Sequence, residues 1–77
     1  MPPDADIILD ASGLLCPLPV VKARKALDAM LSGQVLRLIT TDPASVSDVR
    51  ALAKRSGDEL LAEERAGTTF VFSLRKA

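Results

Sequence analysis

The chain of 77 residues contains no histidine, no tryptophan and no tyrosine, a single cysteine, and two phenylalanines. Each shortage removes a class of chemistry. Without histidine there is no imidazole metal site, no histidine general base and no Cys-His dyad. One cysteine closes no internal disulfide and runs no dithiol redox cycle. With aromatics reduced to Phe70 and Phe72, base-stacking platforms for single-stranded nucleic acid are disfavoured. Ten basic and ten acidic residues cancel, so no overall field draws the chain to nucleic acid or to an anionic membrane. The longest uncharged run, Ala11 to Val21, holds a cysteine and two prolines and is too short to span a bilayer. The first residues, "MPPDAD", lack the basic and apolar regions of a secretory signal. A cytoplasmic setting with a reduced thiol is therefore expected, with no bound metal or cofactor.

The remaining composition, 48% hydrophobic and 26% charged, is ordinary for a globular chain. The length suits one domain over residues 1–77, with an aliphatic core near the lower limit of independent stability. "DIILDA" (Asp6 to Ala11) reads as a short strand. "QVLRLITT" alternates, with Leu36, Leu38 and Thr40 on one side and Val35, Arg37 and Ile39 on the other. Between them, from Pro17 to about Leu31, apolar residues recur at helical spacing: Val20, Ala23, Leu27, Met30 and Leu31. Gly33 stands where that helix should stop.

"TDPASVSDV" signals a second helix. Either Asp42 caps it with Pro43 at the first helical position, or Ser45 caps it with Asp48 three residues on. Val46, Val49, Leu52 and Ala53 supply its buried stripe, and Gly57 ends it. "DELLAEE" and "TTFVFSLRK" read as two strands joined by a hairpin at Gly67. The order β-α-β-α-β-β predicts a two-layer α/β (α+β) sandwich: a four-stranded mixed sheet with both helices on one face. Its first two strands should be parallel and its last two antiparallel. The uncovered sheet face would carry Ile8, Val35, Ile39, Leu61 and Val71 among Arg37, Glu63 and Ser73. Strand propensity explains that apolarity first, and a self-association or partner surface second.

The stretch "GLLCPLPVVKARKAL" holds the one thiol. A lone cysteine is usually a small buried hydrophobe. Here it lies between a glycine loop and a proline-started helix, which reverses the expectation. If Pro17 is the first helical residue, Cys16 is the N-cap, beside the positive end of the helix dipole and its free N–H groups. That placement favours thiolate and lowers the thiol's pKa. Gly13, Pro17 and Pro19 would shape and stiffen the turn. Leu15, Leu18 and Val21 would form an exposed apolar collar for a partner, with Lys22 and Lys25 nearby on the helix. A dithiol cycle needs a second cysteine and acyl-enzyme hydrolysis normally needs a base; accepting a sulfur atom as a persulfide and handing it on needs neither.

These residues resemble a known family. Leu9, Asp10 and Gly13, then Cys16, Pro17 and Pro19, then Asp42, Pro43 and Asp48 are similar to the signature of the TusA/SirA/YedF sulfur carriers. The likeness extends from Ile8 to Lys76. It implies a persulfide carrier on Cys16, loaded by a cysteine desulfurase or rhodanese-like donor. Delivery to a downstream acceptor protein would serve tRNA thiolation, molybdenum cofactor synthesis or sulfur oxidation. Gly57-Asp58 departs from the Gly-His or Gly-Asn common in relatives, which bears on partner choice and not on the sulfur step.

For the other polar groups the structural reading is preferred. Asp10 is expected to form an Asx turn closing the first strand. Asp42 and Asp48 are expected to serve the helix end and not to act as a carboxylate pair. The helix cations Lys22, Arg24, Lys25, Arg50, Lys54 and Arg55 form a solvated face or an anion-attracting one. Two rival functions stand beside the carrier. One is a regulatory interaction module in which the thiol is dispensable. The other is an RNA-binding domain, which the absent aromatics and zero net charge disfavour.

Overall fold

The computed structural model describes residues 4–77; the first three residues of the "MPPDAD" run lie outside them. Six elements follow the expected order: β1 (Ile7–Asp10), α1 (Leu18–Asp28), β2 (Val35–Thr40), α2 (Ser45–Ser56), β3 (Glu59–Ala66) and β4 (Thr69–Arg75). They form a four-stranded sheet in the order β1-β2-β4-β3. β1 runs parallel to β2, and β4 is antiparallel to both β2 and β3.

The period of two in β2 sorts its side chains as the alternation requires. Leu36, Leu38 and Thr40 are fully buried beneath the helices. They meet Ala23 and Leu27 of α1, Val49, Leu52 and Ala53 of α2, and Phe72 and Leu74 of β4 in one aliphatic core. Phe70 packs at the margin of that core, with the Arg65 guanidinium 5.5 Å from its ring centre. The helices thus share one sheet face, the α/β two-layer arrangement expected. On the other face Ile8 is largely exposed, Val35 and Ser73 are buried, and Ile39, Leu61 and Val71 are half-buried.

Four local expectations change. α1 begins at Leu18 because the Leu18 N–H is already turned back onto the Leu15 carbonyl, leaving Pro17 as the N-cap. It ends at Asp28, where Ala29 and Met30 donate to carbonyls three residues back and tighten the last turn. The Gln34 side chain then accepts the Leu31 N–H, so Leu31 leaves the helix and is exposed while Gly33 serves the turn into β2. In α2 neither Asp42 nor Ser45 is the N-cap; Ala44 is, and Ser45 turns inward.

The fourth change is in β3. A register shift between Leu60 and Ala62 puts Leu60 opposite Leu74 and Glu63 opposite Phe72. Glu63 therefore lies on the helix side and not on the open face. There it takes a two-pronged hydrogen bond from Arg50 of α2, at 2.6 and 2.7 Å. The ion pair holds the Glu63 carboxyl below its ordinary range and the Arg50 guanidinium above its own.

Candidate functional site

Two parallel neighbouring strands end at the same edge of the sheet, so the loops that leave them are adjacent. After β1, Asp10 Oδ1 accepts the Ser12 N–H at 2.9 Å, the Asx turn expected. The Ser12 hydroxyl first and this N–H second hold its carboxyl below the ordinary range. Gly13 follows with φ of +79°, a conformation closed to most side chains, and donates its N–H to Thr41 Oγ1 at 2.9 Å. The loop is thereby fastened to the one leaving β2.

Cys16 is fastened twice. Its backbone N–H donates to Asp42 Oδ2 at 2.7 Å, and its Sγ donates to Asp48 Oδ2 at 2.6 Å. Asp42 is doubly engaged as well, since Oδ1 accepts the Ala44 N–H at 3.0 Å. These backbone donors hold the Asp42 carboxyl below its usual value. Below the site, Thr40 and Ser45 are buried and share a 2.6 Å hydroxyl hydrogen bond. That pair docks the start of α2 on the end of β2.

The thiol is exposed, as the loop position implied. Its electrostatics are the reverse of the expectation. Cys16 is not the N-cap but lies one residue before it, joined to Pro17 by a cis peptide. The hydrogen bond to Asp48 pushes the thiol up from its ordinary value. Partial desolvation and the charges of Asp48 and Asp42 act in the same direction. A carboxylate that accepts a hydrogen bond from the thiol stabilises the neutral form.

The remaining expected residues are placed as follows. Pro19 is fully buried at the second position of α1, while Pro17 is exposed. Leu15, Leu18 and Val21 are exposed by 70%, 49% and 50%. Lys22 and Lys25 are exposed on α1. Val21 also lines a groove between α1 and α2 with Val20, Arg24, Leu27, Leu52 and Arg55; Cys16 does not line it. Asp58 is buried and accepts the Ala77 N–H at 2.8 Å, a structural tie between the end of α2 and the last residues. Among the described residues no three His, Cys, Asp or Glu side chains are grouped to hold a metal ion, and no helix is long and apolar enough to cross a membrane.

Asp48, Asp42 and Thr41 are the residues sequence reasoning passed over as site components. Asp42 and Asp48 carried a signal in the signature quoted above, and Thr41 is signalled only by topology: the β1-α1 and β2-α2 loops share one sheet edge, where open α/β sheets place their sites.

Comparison with known proteins takes in nearly the whole chain. The family profile described as Sulfurtransferase TusA matches residues 7–76. The chain is 53% identical over 74 residues to the "Sulfur carrier protein TusA" of Allochromatium vinosum, covering 96% of this chain and 97% of that protein. It is 43% identical over 72 residues to the "Putative sulfur carrier protein YrkF" of Bacillus subtilis, covering 94% of this chain and 39% of that longer protein. Among solved structures it is similar to the SirA-like protein of Desulfitobacterium hafniense. The TM-score is 0.78 at 26% identity, over 90% of this chain and 95% of that one.

Proposed function

Because the chain belongs to the TusA sulfurtransferase family, we propose that it carries sulfane sulfur as a persulfide on Cys16. The observation behind this reading is that the chain's one thiol stands exposed at the mouth of α1, on a loop pinned at Gly13 and Cys16. An enclosed catalyst would bury its reacting atom. A carrier presents it to two proteins in turn.

The transfer needs no oxidant. The Cys16 thiolate attacks the outer sulfur of a donor persulfide; the new S–S bond forms as the donor's S–S bond breaks. The thiol proton leaves Cys16 through solvent, and the departing donor thiolate takes one up. Cys16–SH and donor–S–SH become Cys16–S–SH and donor–SH. A cysteine desulfurase or a rhodanese-like protein is the donor, and a downstream acceptor protein receives the sulfur by the same exchange in reverse. Neither nucleic acid nor membrane takes part directly. A reducing compartment such as the cytoplasm keeps Cys16 free for this cycle.

In this reading residues 1–77 act as one carrier domain. Gly13, Pro17 and Pro19 shape the presenting loop. Leu15, Leu18, Val21, Lys22 and Lys25 form the docking rim. The test is intact-mass measurement after incubation with a cysteine desulfurase and cysteine. Wild type should gain the mass of one sulfur, removable by a reductant, and Cys16→Ser should gain none. Unchanged wild-type mass with several active desulfurase and rhodanese donors would sink the reading and favour a module in which the thiol is dispensable.

A further inference from the structure

We infer that Asp48 is a restraint on the carrier thiol: its carboxylate holds Cys16 in the neutral, slow-reacting form until a docking donor draws that carboxylate off with a cation. This positioning role rests on the carrier reading of Cys16, and its test does not depend on it.

Cys16 Sγ donates to Asp48 Oδ2 across 2.6 Å, and both ends of that contact are held. Asp48 is half-buried in the first turn of α2, where the helical backbone fixes its reach. The Cys16 loop is tied down by Gly13 to Thr41 and by its own N–H to Asp42. The sulfur therefore meets the carboxylate with the backbone on both sides of the contact held in place.

Asp48 is a poor proton acceptor for a thiol but a good hydrogen-bond acceptor, so the contact favours the protonated sulfur. The charged groups that act on the sulfur are Asp48 from α2 and Asp42 from the loop before it, both acidic. From α1 no lysine or arginine offsets them at that atom. An ordinary thiol is about 3% ionised at pH 7, and this arrangement reduces the fraction further. The resting carrier is thus shielded from alkylating and oxidising agents. A donor that places a guanidinium or ammonium group against Asp48 removes the acceptor and neutralises the nearer charge in one movement. The thiolate then forms where the donor persulfide lies.

A general base at position 48 would give the opposite result on substitution, so one experiment separates the two. The rate of iodoacetamide alkylation of Cys16 is followed from pH 6 to pH 10 in wild type and in Asp48→Asn and Asp48→Ala, each checked for native circular dichroism. The restraint predicts a wild-type midpoint above that of free cysteine. Both variants should titrate lower and alkylate faster at pH 7, about three- to fourfold faster for every pH unit by which the midpoint falls, because the gain in thiolate is partly offset by its lower nucleophilicity. Unchanged or slower alkylation in the folded variants overturns it. If neither variant folds, a wild-type midpoint at or below that of free cysteine overturns it alone. Sulfur loading from a desulfurase supplies the second arm. Loading should rise far less than alkylation does, because the donor already lifts the restraint; an equal rise overturns release by the donor. Wild type that never loads defeats the carrier reading and leaves the alkylation result standing.

Discussion

The backbone N–H of Cys16 and the carboxylate of Asp42, 26 residues apart in sequence, are joined by a 2.7 Å hydrogen bond. The bond ties the loop bearing the thiol to the loop that starts α2, and the same carboxylate takes the Ala44 N–H with its other oxygen. Asp42→Ala removes both acceptors at once. Amide hydrogen exchange should accelerate at Cys16 and Ala44 and stay unchanged at Leu38 and Phe72, which lie in the sheet interior. Protection at Cys16 that survives the substitution would show that the loop is held by something else.

The buried hydroxyl pair gives a double-mutant cycle. Thr40→Val or Ser45→Ala alone strands the partner hydroxyl in the core, at a cost of about 1–3 kcal/mol. Removing both leaves no orphan, so the double variant should lose less than the sum of the singles. Urea unfolding of the four proteins measures the coupling. Additive losses would mean the 2.6 Å bond contributes nothing to stability.

Core truncation calibrates the fold. Phe72 and Leu38 are 1% and 0% exposed. Phe72→Ala should cost about 3–5 kcal/mol and Leu38→Ala about 2–5 kcal/mol. A domain this small has little stability to lose, so Phe72→Ala is expected to be largely unfolded at 37 °C by circular dichroism. A cooperative transition within a few degrees of wild type would contradict the packing described.

The thiol links stability to pH. Its folded-state value lies above its unfolded one. The contact's stabilisation is therefore fully present below the unfolded thiol value and is lost as pH rises through the folded one. Wild-type thermal stability should fall as pH rises above the ordinary thiol value of about 8.5, and Cys16→Ala should flatten that part of the profile. Parallel profiles in the two proteins would show that the sulfur carries no such linkage.

The rim residues separate docking from folding. Leu15→Ser and Leu18→Ser change exposed side chains, so each should alter stability by no more than about 0.5 kcal/mol. If they contact the donor, the second-order rate of sulfur loading falls while alkylation of Cys16 by a small reagent does not. Loading at the wild-type rate in both variants would remove these leucines from the interface.

Most of the fold is written in local pattern. The alternation of Leu36, Leu38 and Thr40 and the helical spacing of Ala23, Leu27, Val49 and Leu52 place three elements against one core. What is not local is harder to read. The register shift after Leu60 adds one residue to β3 and exchanges its faces beyond that point; no residue type in "DELLAEE" announces it. Leu31 satisfies the helical period but loses its N–H to the Gln34 side chain. The site shows the same division. An exposed thiol was legible from its glycine and prolines. Its partner, 32 residues away on α2, follows only once β1 and β2 are laid side by side. Helix-end logic accounts for Asp42 and Asp48 as separate residues, and it has no place for a third group arriving from another loop.

The place of β4 has a consequence for how the molecule is made. The strand lies inside the sheet, between β2 and β3, although it is last in sequence. In sequence order both helices and the sulfur-bearing loop precede Phe72 and Leu74, the side chains that fill the middle of the core. The thiol is therefore translated early and aligned late, because the core beneath its loop closes only when β4 takes its place.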